Sequence, residues 1–387
     1  MLNNKTEREP LFRIVKRDNM PKWQAWIIRA AAVIIALLIS AVVSAILTDG
    51  ASFGHFFKGL FDGVFGTERR ILNFFQGTAI LLCIALAVTP AFKMRFWNIG
   101  AEGQVLMGGL ACVACIQYLG GKVNNMLLLL IMAACSIAAS IVWAVIPALF
   151  KARWKTNETL FTLMMNYVAM QLVACCIFVW VPSGSGVLGV LDYGHFPQIG
   201  GYNYILNILI VAGLVVFMFV YFRFSKHGYE LSVVGESENT AKYIGINVKK
   251  VIIRTMILSG ALCGVAGLLL VAGTDHSLAV NTVGGRGFTA ILVSWLGKFS
   301  PLTMSFTSML YIFIDQGAKQ VATTFEMGSS FSSIITGIFF FLVIGCEFFI
   351  NYKVKFRSFK KKSTDIPAVA DVNIVETEQN DSEEVTA

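Results

Sequence analysis

The sequence predicts an all-α polytopic membrane protein of about ten transmembrane helices, one of them short, with both termini in the cytoplasm. Three observations lead there. The 387 residues are 56% hydrophobic and 14% charged, with a mean hydropathy of +0.69, whereas soluble domains carry roughly 25% charged residues. Apolar stretches of about 20 residues, the length that crosses a bilayer core, recur along the chain. Lys and Arg crowd alternate connections, as they do in loops retained on the cytoplasmic side.

The spans fall at about 27–47, 73–92, 103–120, 125–150, 159–182, 204–224, 251–273, 302–320 and 329–350, with a shorter apolar piece at about 287–299. Counting that piece makes the number of crossings even, as two termini on one side require. The basic residues test this independently. A cytoplasmic N-terminal segment, 1–26, holds Lys5, Arg8, Arg13, Lys16, Arg17 and Lys22. Lys93 and Arg95, then Lys151, Arg153 and Lys155, then Arg223 to Arg254, then Lys298, occupy the next inner connections. Only Lys58, Arg69, Arg70, Lys122, Arg286 and Lys319 fall outside, and 183–203 has no Lys or Arg. The transmembrane domain is therefore read as 27–350, followed by a cytoplasmic tail, 351–387, basic at first and then acidic and disordered by composition. The first apolar stretch is too long and too far from the N-terminus for an ordinary cleaved signal, and reads as a retained span.

The net charge of +8 thus reports orientation in lipid. Nucleic-acid binding would need clustered charge on a folded domain, and none of that size is present. The eight cysteines all lie within or at the ends of apolar spans, without His or Asp companions, and pack as small hydrophobes. The four histidines are dispersed, with no H-E-x-x-H, which argues against a metal enzyme. No G-x-x-x-x-G-K-[ST] occurs, so no phosphate-cradling loop is present and no cofactor is expected in this chain.

Between spans, 50–66 is aromatic-rich and reads as an interfacial helix on the outer surface or as a loop packed over the bundle. The outer loop 183–203, rich in glycine, could meet an external partner or close a turn. Glu236 to Asn247 reads as one short cytoplasmic helix, with Glu236 and Glu238 in its first turn, Ala241 and Tyr243 on an apolar side and Gly245 as its stop. Ser259 to Gly267 is a small-residue face suited to close helix packing, with a substrate-facing role as the alternative.

The most informative stretch is Lys93 to Gln104, where one apolar segment breaks and another begins. Irregular backbone near membrane depth survives only against protein or a water-filled cavity, and transporters handle solute at such breaks. Asn98, Glu102 and Gln104 supply hydrogen-bonding groups there; a plain cytoplasmic loop is the other reading. A second polar cassette runs from Asn157 to Asn166, with Glu158, Thr162 and Asn166 at helical spacing on one face. Deep ionisable groups that would couple transport to an ion are scarce: Asp315 has Lys319 four residues on. The energy must come from elsewhere, which favours a permease driven by a separate ATPase over an ion-coupled carrier.

These cassettes resemble the permease subunits of bacterial ABC importers for simple sugars and nucleosides, most closely the nucleoside (Bmp-type) branch. Phe96 to Gln104 is similar to that branch's F-N-I-G-A-E-G-Q signature, with Trp97 inserted or replacing the usual Phe. Asn157 to Tyr167 resembles its N-E-…-M-N-Y segment, and Glu236 to Ile246 its coupling segment, with Lys242 where a second Ala is usual. Gly287 to Leu302 resembles its G-F-…-L-L-G-x-x-x-P segment, with Ser294-Trp295 where smaller residues are usual. The resemblance covers about 70–350. It implies a permease that translocates nucleosides, or a simple sugar, working with a second related permease, an ATP-using cytoplasmic ATPase and an extracellular substrate-binding lipoprotein. It further implies that Asn98, Glu102, Gln104, Asn157, Glu158, Thr162 and Asn166 border the pathway. A coupling segment at about 235–248 (Glu236, Asn239, Ala241, Tyr243, Gly245) would touch the ATPase.

Overall fold

A computed structural model describes residues 12–17, 21–47, 53–181, 188–202 and 204–356. The acidic part of the tail lies outside them. The helices are α1 (Lys22–Leu47), α2 (Phe53–Phe65), α3 (Glu68–Lys93), α4 (Ala101–Leu119), α5 (Asn125–Trp154), α6 (Glu158–Trp180), α7 (Ile205–Phe224), α8 (Lys226–Glu236), α9 (Glu238–Tyr243), α10 (Val248–Leu270, continued by a π-turn Val271–Asp275), α11 (Arg286–Leu296), α12 (Pro301–Thr324) and α13 (Ser329–Asn351). Among the described residues, eight are long and apolar enough to cross a membrane, and α11 is a shorter apolar helix. The helix α12, the remaining one of the ten expected from the sequence, is 24 residues long and is less apolar, with Tyr311, Asp315 and Lys319 along one face.

The bundle centres on α3 and α10, the most buried of the spans. Close packing here depends on residues without side chains, as in membrane helices generally. A Cβ on Gly264 would stand 2.6 Å from Ile137 Cα of α5, and one on Gly260 2.8 Å from Ser140 O. The small-residue face of α10 is thus a packing face. Ser136 Oγ adds a bond to Gly264 O at 2.7 Å.

The first and last described segments meet. β1 (Phe12–Lys16) and β2 (Tyr352–Phe356) form an antiparallel ribbon, Phe12 facing Phe356 and Lys16 facing Tyr352. Arg29 of α1 also pairs with Glu347 of α13 at 2.7 Å. Both segments therefore leave the bundle on one side, as the even number of crossings requires. The aromatic-rich stretch, expected as an interfacial helix or as a loop packed over the bundle, forms the helix α2. It buries Phe56, Leu60 and Val64 against α12 and leaves Phe53, Phe61 and Phe65 exposed. Of the glycine-rich outer loop, 188–202 is tied down on the end of α10. Leu191 N–H donates to His276 O at 2.8 Å and Phe196 N–H to Ala272 O at 3.0 Å. The His195 and His276 Nδ1 atoms lie 2.8 Å apart; burial and the neighbouring ring hold the His276 imidazole below its ordinary pKa.

Candidate functional site: a broken helix, an outer cavity and a cytoplasmic lever

Arg95, with φ at 60°, turns the chain out of α3, and α4 begins only at Ala101. Of the irregular residues between, Met94, Phe96, Asn98 and Gly100 are buried while Arg95 and Trp97 stay exposed, so the buried polar groups need partners. Asn98 is wholly buried. Its Oδ1 accepts from Gly100 N–H at 3.1 Å and from Gln104 Nε2 at 3.2 Å, while its Nδ2 donates to Ser259 Oγ of α10 at 3.3 Å. From α6, Thr162 Oγ1 accepts Ile99 N–H at 3.2 Å. Asn166 closes the knot: its Nδ2 donates to Ile99 O at 2.9 Å and its Oδ1 accepts Gly103 N–H at 2.8 Å. A Cβ on Gly103 would sit 2.9 Å from that same Oδ1, so only glycine lets α4 and α6 approach this closely. Asn166→Leu is expected to strand both Ile99 O and Gly103 N–H. Buried orphans of this kind cost about 1–3 kcal/mol each, so the melting temperature in detergent should drop clearly, and uptake should fall further than protein level. Wild-type melting would reduce Asn166 to a bystander.

Glu102, on the first turn of α4 and 3% exposed, reaches the opposite way. Its Oε1 accepts from Gly285 N–H and its Oε2 from Gly287 N–H, both at 2.8 Å. The carboxylate therefore caps α11, whose N-terminal amides and partial positive charge favour an anion. Gly285 cannot cap its own helix by side chain, so the cap comes from α4. Asn157 and Glu158 stand apart from this knot, at the cytoplasmic start of α6. Asn157 accepts from Leu160 N–H at 3.2 Å, and Glu158 pairs with Lys151 at 2.7 Å.

On the outer side, α3, α10, α11 and α12 enclose a cavity of about 560 Å³, a size usual for small-molecule sites. Gln76 on α3 hydrogen-bonds Thr274 of the π-turn; π-turns inside helices recur at functional sites. Asp275, Arg286, Tyr204, Tyr311, Asp315 and Gln316 complete the wall. Asp315 is held by Lys319 at 2.6 Å. Arg286 Nη1 and Gln316 Oε1 are buried without partners among the described residues. Unpaired buried polar atoms facing a cavity are spare capacity for a ligand. Arg286 is the first residue of α11, so the carboxylate of Glu102 fixes the helix that carries it.

Sequence reasoning found Asp315 and Lys319 only as an ion pair and missed Gln76, Asp275, Arg286, Tyr311 and Gln316 as a group. A signal existed on α12, where Tyr311, Asp315 and Lys319 are four apart and share a face. For the others none did, since they converge only through folding.

At the cytoplasmic end, the expected single helix from Glu236 to Asn247 is shorter, α9 spanning only Glu238–Tyr243. Glu236 closes α8, so it is not in the first turn of the next helix. Ser237 is extended and caps α9 through Thr240 N–H. A serine that can accept that bond competes with helix continuation. Ala241 is buried, and Ile246 N–H donates to Ala241 O at 2.9 Å while Gly245 N–H donates to Lys242 O at 3.0 Å. This is the paired-bond helix stop that needs a left-handed residue, supplied by Gly245 with φ at 83°. Tyr243 projects 92% exposed above an open groove shared with Asn239 and Lys242. On its inner side the lever buries Leu231, Val234 and Ala241 against Met94, Phe96 and the start of α10.

A bundle with eight helices long and apolar enough to cross a membrane among the described residues, with a broken segment, a polar outer cavity and a helical lever on the inner face, defines a multi-pass membrane permease. Residues 70–344 match the family described as branched-chain amino acid transport system / permease component, and the chain belongs to it. Among curated relatives, it is 28% identical over 322 residues (81% of this chain, 90% of the relative) to the guanosine ABC transporter permease protein NupP of Bacillus subtilis. It is 27% identical over 305 residues (75% and 80%) to the glucose ABC transporter permease protein TsgB13 of Haloferax volcanii. Over 303 residues (74% and 83%) it is 22% identical to the nucleoside ABC transporter permease protein NupB of Lactococcus lactis. It is a transport component of the cell membrane.

Proposed function

We propose that the chain is the permease subunit of an ATP-driven importer that carries nucleosides into the cell. The observation that carries this reading is the outer cavity. Its two aspartates and its glutamines can accept from ribose hydroxyls and base N–H groups, unpartnered Arg286 Nη1 can donate to base or ribose oxygens, and Tyr204 and Tyr311 offer faces for a planar base. Opposite charges nearly balance, which suits a neutral solute. The names of NupP and NupB support the same class; the name of TsgB13 supports a simple sugar as the second reading.

The chain contributes no ATPase site of its own. It works with a second related permease, a cytoplasmic ATPase that uses ATP, and an extracellular substrate-binding lipoprotein. Within the transmembrane domain 27–350, the segment about 235–248 couples to that ATPase, with Glu236, Asn239, Ala241, Tyr243 and Gly245 forming or shaping the docking face. Asn98, Glu102, Gln104, Thr162 and Asn166 border the pathway by fixing the broken segment that backs it, and Asn157 and Glu158 flank its cytoplasmic end.

Uptake of labelled adenosine in a deletion strain tests this. Unlabelled nucleosides should compete and glucose should not; the reverse would establish the sugar reading. Arg286→Gln and Asp315→Asn should each raise KM about tenfold, the loss of one hydrogen bond to a charged group, at unchanged protein level.

A further inference from the structure

The other end of α11 opens on a second pocket. Arg286 faces the outer cavity; Trp295, near the C-terminus of the same helix, faces a cytoplasmic pocket of about 490 Å³ with Trp97, Phe299, Arg95 and Glu236. The eleven residues of α11 put these ends about 15 Å apart along the helix axis. Trp97 and Trp295 pack ring to ring, with centroids 5.6 Å apart. Phe92 meets Trp97 edge-on at 5.7 Å and Phe299 meets Trp295 edge-on at 5.9 Å. Both indoles are still about half exposed, at 45% and 50%. Arg95 and Glu236 have no salt-bridge partner among the described residues.

We propose that this pocket is a cytoplasmic release station that holds the base of the transported nucleoside by stacking on Trp97 and Trp295. The proposal rests on the nucleoside reading above and adds a second binding position to it. Every nucleobase has a π-face that stacks on an aromatic ring, and the two indoles with their flanking phenyl rings offer such faces at the rim of an open pocket. Glu236 can accept from ribose hydroxyls or base N–H groups, and Arg95 can donate to base oxygens or stack on the ring. Tryptophans that merely anchor a membrane helix sit at the headgroup level with lipid around them. Here the pair faces α8, the helix that joins the bundle to the coupling lever. A base held there touches the elements that the ATPase is proposed to move, so occupancy of the station and the state of the lever are linked.

The test uses the full chain in phosphatidylcholine nanodiscs, titrated with adenosine while intrinsic tryptophan fluorescence is read. Adenosine should quench the wild type and ribose should not. Trp97→Leu and Trp295→Leu should each weaken binding about tenfold, as loss of one stacking partner does. Trp97→Phe, which keeps a π-face, should stay close to wild type and guards against a folding artefact. Equal adenosine binding by the wild type and both Leu variants, or equal quenching by ribose, overturns the station. Quenching that appears only with added phosphatidylglycerol overturns it in favour of a lipid site. Labelled adenosine uptake by cells separates the two readings. If wild-type cells import adenosine while the tryptophans do not matter for binding, the station falls and the permease function stands. If wild-type cells import no nucleoside, both fall.

Discussion

Glu102→Leu is expected to abolish uptake and to lower the unfolding free energy by roughly 3 kcal/mol or more, since it removes two hydrogen bonds to a charged group worth about 1.5–3 kcal/mol each. The carboxylate is nearly fully buried and spends both oxygens on the amides of Gly285 and Gly287. Leucine would leave the buried Gly287 amide and the half-buried Gly285 amide unpaired at the end of a helix whose dipole already places positive charge there. A water cannot enter easily to replace the acceptor, because the site is tight: a Cβ on Gly287 would meet Glu102 N at 2.6 Å. The consequence reaches the cavity, since α11 begins with Arg286 and its first turn would loosen. Glu102→Gln separates the two effects. Its amide oxygen can still accept from one glycine while its NH₂ faces the other, so stability should fall by about half as much, and KM should rise before maximal uptake declines. Thermal unfolding in detergent, with uptake at matched protein level, measures both. Wild-type melting of Glu102→Leu would show that α11 is held without its cap.

What the sequence shows and what it hides follow from the range of the interactions. The spans were legible because twenty apolar residues in a row have few alternatives in lipid, and the basic loops gave their direction. The polar knot was half legible. Asn98, Gln104 and Asn166 stood out as amides in apolar surroundings, but nothing local shows that Asn166 bonds Ile99 and Gly103. The boundary between α8 and α9 was misread because Ser237 lies between two glutamates that each suit a helix start. Only the extended backbone at Ser237 decides the matter. The terminal ribbon was hidden for a different reason. Arg13 to Lys16 and Lys353 to Lys355 read as basic flanks, and their pairing spans nearly the whole chain. The outer cavity was least visible of all. Gln76, Asp275, Arg286 and Asp315 belong to separate helices, and each alone resembles an ordinary polar residue near a membrane surface.

Gly235→Ala should uncouple ATP hydrolysis from uptake while leaving assembly intact. Gly235 lies in the last turn of α8, and a Cβ there would stand 2.2 Å from Lys93 O and 3.4 Å from Met94 Cα. Both partners are backbone, so neither can swing aside, and overpacking of this kind costs typically about 1–3 kcal/mol. The least costly relief is a shift of α8 away from the end of α3. That shift opens the inner face of the lever, where Leu231 and Val234 pack beside Met94 and Phe96. Met94 and Phe96 lead directly into Asn98, and the knot leads through Glu102 to α11. Displacing α8 therefore loosens a packed route from the cytoplasmic surface to the cavity. The outer face of α9 is untouched, so the ATPase should still bind and hydrolyse ATP at near wild-type rate while labelled nucleoside uptake falls steeply. Tyr243→Ala should do the opposite: its side chain is 92% exposed, so folding should be unaffected while stimulation of the ATPase weakens. Measured together in proteoliposomes of the assembled transporter, the two variants place the break on different sides of the lever. Wild-type uptake by Gly235→Ala would mean that force reaches the cavity by a route other than the contact of α8 with α3.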